Sequence, residues 1–251
     1  MKKLIPLLML LVAMPSWAQQ QFDIEVIIFK RNVNAEKMDE AWPNDLPNIS
    51  LRGTGSLSSQ SYLNAKGVTL LPQASYRLNA QERRLQSQGG YKILLHTAWR
   101  QGDQGKSSAP IFHIQAGRDY SQQFNSDGSP RNATNFSSGV IEQNINNPVY
   151  ELDGTLQIYV QHYLFADAMI DWKAPSSRPI KLTSANSPNF IKDPTANDLP
   201  LGATIPTTNN SGLEPFLKSY RLDQQRRMKS GETHYLDHPL LGMIIQVRKA
   251  Q

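Results

Sequence analysis

Between Thr155 and Phe165 the chain alternates two kinds of residue. In an extended segment Leu156, Ile158, Val160 and Leu164 share one face, and Gln157, Tyr159, Gln161 and Tyr163 share the other. A tyrosine ring stacks on the apolar face of a pyranose and a glutamine amide bonds its hydroxyls, so this second face reads as a sugar platform. The same residues also suit packing beneath a helix or pairing across strands. A later segment alternates Arg221, Asp223, Gln225, Arg227 and Lys229, which makes a charged strand face. Its guanidinium groups suit a peptide carboxylate or a phosphate, although a charge run also serves simply to face water. The candidate residues for glycan or partner binding are therefore Tyr159, Tyr163, Gln157, Gln161, Arg221 and Arg227.

Chemistry of the bond-breaking kind has few carriers. There is no cysteine, no serine is followed three residues later by a lysine, and there is no Gly-x-Ser-x-Gly elbow, so thiol and serine acyl transfer have no visible nucleophile. No catalytic residue is assigned. Two carboxylates converging from distant strands, as in glycoside cleavage, remain open. Of the five histidines, only His234 and His238 lie close together, with Asp237 between them. The His-Glu-x-x-His pattern is missing and Pro239 breaks a helix there, so neither a metal site nor any other cofactor is expected. His96 and His162 fall within strand-like segments, where a hydrogen-bonded structural role is expected.

The elements that must position these residues are mostly strands. Phe22 to Lys30 places Phe22, Ile24, Val26 and Ile28 on one face, while Asp23 and Glu25 give way to Ile27 and Phe29 on the other; such a strand belongs inside a sheet. Ser75 to Gln88 reads as a helix with a thin apolar side of Tyr76, Leu78 and Leu85, stopped by Gly89-Gly90. Tyr91 to Arg100 is a second strand. Strand, helix and strand in this order predict a βαβ crossover with the first two strands parallel. Further strands are expected around Ile111 to Gln115, over Tyr150 to Trp172 as two strands meeting near Phe165-Ala166-Asp167, and over Tyr220 to Lys229 and Leu241 to Lys249. Asn32 to Gln73, Asn125 to Pro148 and Pro175 to Pro215 read as loops, and 175–215 as a flexible exposed insertion. The expected fold is α+β: a mixed, mostly antiparallel sheet with an initial βαβ crossover, one main helix packed on it, and long loop insertions.

Met1-Lys2-Lys3, an apolar run from Leu4 to Met14, and Pro15-Ser16-Trp17-Ala18 form a secretory signal with a cut expected after Ala18. With no cysteine, neither a lipid-modified first residue nor a disulfide is available. The expected product is a soluble periplasmic protein: one domain, 19–251, of about 233 residues, enough to bury its own core. Of the formal charge of +5, Lys2 and Lys3 contribute two, leaving +3 after cleavage. That is too little to argue for nucleic acid, though it suits an anionic partner such as cell wall. No second apolar run has the length of a membrane span.

Four segments carry a family resemblance. Phe22-Asp-Ile-Glu-Val-Ile-Ile-Phe-Lys-Arg31, Glu40-Ala-Trp-Pro43, Tyr150-Glu-Leu-Asp-Gly-Thr-Leu-Gln-Ile-Tyr-Val-Gln-His-Tyr-Leu164, and the block from Met228 to Lys249 resemble the CsiV family of γ-proteobacterial periplasmic proteins. The block Met228 to Lys249 is the most specific of these. The resemblance implies a peptidoglycan-binding protein that works with an outer-membrane lipoprotein activator of a bifunctional penicillin-binding protein, and so supports wall synthesis and cell shape. It implies no catalytic residue. Two other functions fit the residues: a peptidoglycan hydrolase using a carboxylate pair, and an envelope module that binds protein alone, through a sheet edge or the 175–215 segment.

Overall fold

The computed structural model describes residues 20–131, 148–179 and 212–250. The predicted export signal lies outside them, as do most of the Asn125 to Pro148 segment and residues 180–211 of the predicted insertion. The chain divides into two compact units, Met1–Asp119 with Tyr150–Lys173 and Ser219–Gln251, and Tyr120–Val149 with Ala174–Lys218.

Among the described residues, ten strands form two five-stranded sheets. They are β1 Gln21–Arg31, β2 Thr54–Ser56, β3 Thr69–Leu70, β4 Tyr91–Gly102, β5 Ile111–Asp119, β6 Tyr150–Gln161, β7 Tyr163–Pro179, β8 Leu213–Met228, β9 Thr233–Asp237 and β10 Leu241–Lys249. The first sheet runs β3-β4-β1-β10-β9 and the second β2-β5-β6-β7-β8. The described residues are mostly strand with two α-helices, α1 Gln60–Lys66 and α2 Asn79–Ser87, and the fold is α+β with predominantly antiparallel pairing.

β1 sits at the centre of its sheet, and its sequence explains why. Ile24, Val26 and Ile28 share a face with Trp99 of β4 and with Met243, Ile245 and Val247 of β10, all buried. Trp99 meets Phe112 of β5 edge-on at 5.0 Å, so this face packs against the second sheet. Small residues complete the opposing face: Gly154, Ala166 and Ala168 alternate with Leu156, Ile158 and Ile170. On the far side of β1, Ile27 and Phe29 pack with Leu78, Leu85, Tyr91, Ile93 and Ile244, which brings the last turn of α2 onto the sheet. Branched and aromatic residues on both faces are what a strand buried on both sides requires.

Glu25 is the polar exception, fully buried on the α2 side. Its carboxylate accepts from the backbone N–H of Arg77 (2.7 Å) and Leu78 (2.8 Å), where the chain enters α2. It accepts also from His96 Nε2 (2.9 Å) and Arg248 Nη1 (3.1 Å). The other ring nitrogen of His96 bonds Glu82 at 2.9 Å. Leu78 offers no side-chain cap of its own; the β1 carboxylate instead takes the N–H of Leu78 and of Arg77 before it, which fixes where the helix begins.

The structure corrects four expectations. β1 and β4 are antiparallel, with Arg31 opposite Tyr91, so no βαβ crossover joins them. The connection leaves β1 and enters β4 at the same end of the sheet, closed by Asn32 N–H on the Gly90 carbonyl at 2.9 Å, and a return at the same end makes neighbouring strands antiparallel, whereas a parallel pair needs a crossover to the opposite end. Parallel pairing occurs instead between β2 and β5. Within the predicted loop from Asn32 lie β2, α1 and β3; Ser59 caps α1 by accepting from Tyr62 N–H, and Gly67 ends it in the left-handed region at φ 64°. β6 reverses into β7 at His162, whose φ is 61°, and not near Ala166; His162 is an exposed turn residue. Finally, β9 occupies the predicted connection before β10, while β7 reaches Pro179 and β8 starts at Leu213, inside the predicted insertion.

The second unit has its own small core of Tyr120, Phe124, Val149 and Leu217. Tyr120 N–H donates to Val149 (2.7 Å) and Leu217 N–H to Gly128 (2.8 Å). Arg178 pairs with Glu214 at 2.6 Å and lies over the Phe216 ring at 5.0 Å.

Candidate functional site

The outer face of the second sheet gathers the predicted site residues. The β6–β7 register sets Gln157 opposite Asp167, Tyr159 opposite Phe165 and Gln161 opposite Tyr163, all on that face, and β8 adds Arg221, Gln225 and Arg227. These residues separate into a closed half and an open half.

The closed half is occupied by internal contacts. Gln157 is 6% exposed, and its amide donates to the carbonyls of Lys106 (2.7 Å) and Ala109 (3.3 Å). Tyr159 is 3% exposed, stacked on Phe165 at 5.4 Å between centroids. Lys106 Nζ lies 5.4 Å over its ring, and its hydroxyl accepts from the Gln225 amide at 2.8 Å. Lys106 in turn pairs with Asp167 at 2.9 Å, a bond that raises the lysine's pKa. Arg221 forms a two-pronged bond with Asp171 (2.7 and 2.8 Å), which consumes its charge and its fork of donors.

The open half lies at the β6–β7 turn. Tyr163 is 55% exposed, Gln161 and Arg227 are exposed, and the Arg227 guanidinium sits 4.5 Å from the centre of the Tyr163 ring. The left-handed conformation of His162 makes the reversal abrupt enough to set Tyr163 directly opposite Gln161. Here a ring, a planar cation and an amide are presented together to solvent, a set suited to polar, anionic or saccharide ligands.

A second cluster was not visible in the sequence. Trp42 meets Tyr220 edge-on at 5.3 Å and lies 6.3 Å from His238, while Tyr220 is tilted on Trp172 at 5.2 Å. The Tyr220 hydroxyl donates to Glu36 at 3.1 Å. Lys30 Nζ lies 5.6 Å over Trp172 and bonds the buried Glu151 at 2.5 Å. Glu151 also accepts from Trp172 Nε1 (3.2 Å) and Arg118 N–H (3.1 Å). Five distant segments supply these side chains. Trp42 in Glu40-Ala-Trp-Pro43 was a possible pointer, yet no spacing tied it to Tyr220.

The electrostatics bear on catalysis. Burial by itself would raise the carboxyls of Glu25, Glu151 and Asp153, but hydrogen bonds and neighbouring cations, His96 for Glu25 and Lys30 for Glu151 foremost, hold all three below the ordinary range. For Asp153 the nearby charge of Lys173 is the largest of the lowering influences, ahead of the hydrogen bonds from Lys173 and His113. A general acid for glycoside cleavage needs the opposite shift. His234 Nε2 accepts from Lys229 N–H (3.1 Å), and His238 Nδ1 from Leu240 N–H (3.2 Å), with burial pushing the His238 pKa down. Both thus shape the β9 to β10 region, and among the described residues no three potential metal ligands converge. None of the helices described is long and apolar enough to cross a membrane.

A family model described as "Peptidoglycan-binding protein, CsiV" matches residues 2–250. No curated protein matches. Among solved structures, the V. cholerae type IV competence pilus secretin PilQ, determined by single-particle electron cryomicroscopy, aligns at 10% identity and a TM-score of 0.31. That alignment covers 100% of this chain and 66% of the secretin chain, and at this TM-score it carries no argument about fold or function.

Proposed function

The chain belongs to the CsiV family of peptidoglycan-binding proteins, and from that premise we propose that it is a periplasmic accessory protein of cell-wall synthesis rather than an enzyme. It binds peptidoglycan and acts with an outer-membrane lipoprotein activator and the bifunctional penicillin-binding protein which that lipoprotein stimulates. The observation that carries the reading is the family match over residues 2–250. Support for the compartment comes from Lys2-Lys3, the apolar run and the small residues before the expected cut after Ala18. Support for binding over hydrolysis comes from the lowered pKa values of Glu25, Glu151 and Asp153, which suit ionised structural groups. The surface we favour for the wall is the open half of the outer face, Gln161, Tyr163 and Arg227.

Purified protein incubated with isolated sacculi is expected to pellet with them, well above a control protein of similar charge. Failure to pellet overturns the wall-binding part, and release of soluble muropeptides by the protein alone would replace it with hydrolysis. The partner half has a separate test. In-cell crosslinking is expected to recover the lipoprotein activator or its penicillin-binding protein, and recovery of neither removes that role while leaving wall binding in place.

A further inference from the structure

We infer that Arg227, seated on the ring of Tyr163, is a docking point for the carboxylates of the peptidoglycan stem peptide, an assignment that rests on the wall-binding reading above. Other cations on this face already have carboxylate partners: Lys106 with Asp167, Lys173 with Asp153, Arg221 with Asp171, and Lys229 with Glu232 at 3.6 Å. Arg227 differs. It is exposed, its contact is the Tyr163 ring at 4.5 Å, and among the described residues its guanidinium pairs with no carboxylate.

A guanidinium resting on an aromatic face keeps its N–H edges free, and those edges fork onto a carboxylate. Seating on the ring also restricts the long side chain before any ligand arrives, so less freedom is lost on binding. Neighbouring groups set the rest of the ligand. Gln225 is engaged with the Tyr159 hydroxyl and Lys106 with Asp167, leaving the exposed Gln161 as the adjacent side-chain amide for a peptide group. Arg227 covers one face of Tyr163, which reduces the ring area open to a sugar and favours the anionic peptide portion of the polymer over its glycan.

The test is co-sedimentation of the full mature chain with intact sacculi and with sacculi whose carboxyl groups have been converted to amides. Binding by the wild type is expected to fall about tenfold on amidation, the size of effect expected for a lost charge-assisted fork. R227Q is expected to bind intact sacculi about tenfold less well and to be indifferent to amidation. R227K keeps the charge without the planar fork and is expected to recover only part of the loss. Arg226, also exposed and one residue away on the opposite strand face, is the control, and R226Q is expected to match the wild type. Equal losses in R226Q and R227Q would reduce the effect to diffuse charge and overturn the assignment. Undiminished binding to amidated sacculi would overturn it as well. Retained, Arg227-dependent binding to glycan stripped of stem peptides would move the ligand to the lactyl carboxylate, and Arg227-dependent binding to phosphatidylglycerol vesicles in place of sacculi would move it to lipid headgroups; either outcome refutes the stem-peptide proposal. If the wild type fails to bind sacculi at all, the wall-binding reading itself falls, whereas strong wild-type binding unaffected by R227Q removes this inference alone.

Discussion

Replacing Glu25 with alanine is expected to lower the unfolding free energy by about 3–5 kcal/mol, the range for removing one partner of a buried charge network. Four donors lose their acceptor at once: the N–H groups of Arg77 and Leu78, His96, and Arg248. Urea unfolding followed by tryptophan fluorescence measures the change, and a midpoint within error of the wild type would contradict it. The same network gives stability a pH signature. The Glu25 pKa lies below its ordinary 4.5, because the His96 and backbone hydrogen bonds outweigh burial, so its contribution is complete above about pH 4.5 and is lost as pH falls through the lower folded value. Burial alone would lower the His96 pKa, but its bonds to Glu25 and Glu82 outweigh that and raise it above 6.5. The histidine's contribution is therefore complete below about pH 6.5 and is lost as pH rises through the raised folded value. Melting temperatures are expected to decline on both sides of that window, and the alkaline decline is expected to shrink in H96Q.

The second large effect is expected at Gly154. A Cβ placed there would stand 2.3 Å from the Met169 carbonyl oxygen and 2.6 Å from the Ile170 Cα, so it meets backbone rather than a side chain able to swing away. Gly154 pairs with Ile114 on one side and Ile170 on the other, in the middle of the second sheet. Gly154→Ala is expected to cost about 3 kcal/mol, because the β6–β7 pair must part to admit a methyl group. Gly89, with nothing within 4 Å of an added Cβ, is the matched control, and Gly89→Ala is expected to change stability by less than about 0.5 kcal/mol. Equal melting temperatures for the two variants would contradict the claim that the Met169–Ile170 backbone leaves no room for a methyl group at Gly154.

Where residue pattern dictates structure, the strands follow it. β10 spans Leu241–Lys249 as expected, and β1 differs by a residue at each end, because alternating branched residues leave a buried strand little choice of register. Strand direction is another matter: β1 and β4 look the same to a local pattern whether paired parallel or antiparallel, and only the Arg31–Tyr91 register decides. α1 escaped notice because it buries a single residue, Leu63, leaving no periodic stripe to detect. The helix expected from Ser75 begins at Asn79, since a 3-10 turn at Gln73–Ser75 and an extended Tyr76 come first, and the group that marks its start is Glu25, more than fifty residues upstream. Among the site candidates, period-two reading places Gln157, Tyr159 and Gln161 on one face of β6, as found, but Tyr163 reaches that face from β7 across the His162 turn, and alternation does not distinguish used residues from free ones. Gln157, Tyr159 and Arg221 are claimed by Lys106, Phe165 and Asp171, partners that alternation cannot reveal. Trp42, Trp172 and Tyr220 meet only through the tertiary fold.

The pairing of β1 with β10 fixes the order in which this molecule can be finished. Nine consecutive residue pairs join Phe22–Lys30 to Lys249–Leu241, and Ala250 N–H closes onto the Gln21 carbonyl. Among the described strands of the first sheet, the central one comes first in the chain, and one of its two neighbours comes last. Until residues 241–249 are in place, β1 keeps an unpaired edge along Phe22–Lys30, a bare row of backbone donors and acceptors in the middle of the sheet. Closure of the first sheet is therefore a long-range event, joining strands more than two hundred residues apart, and it follows the pairing of β1 with β4 in the order of the chain.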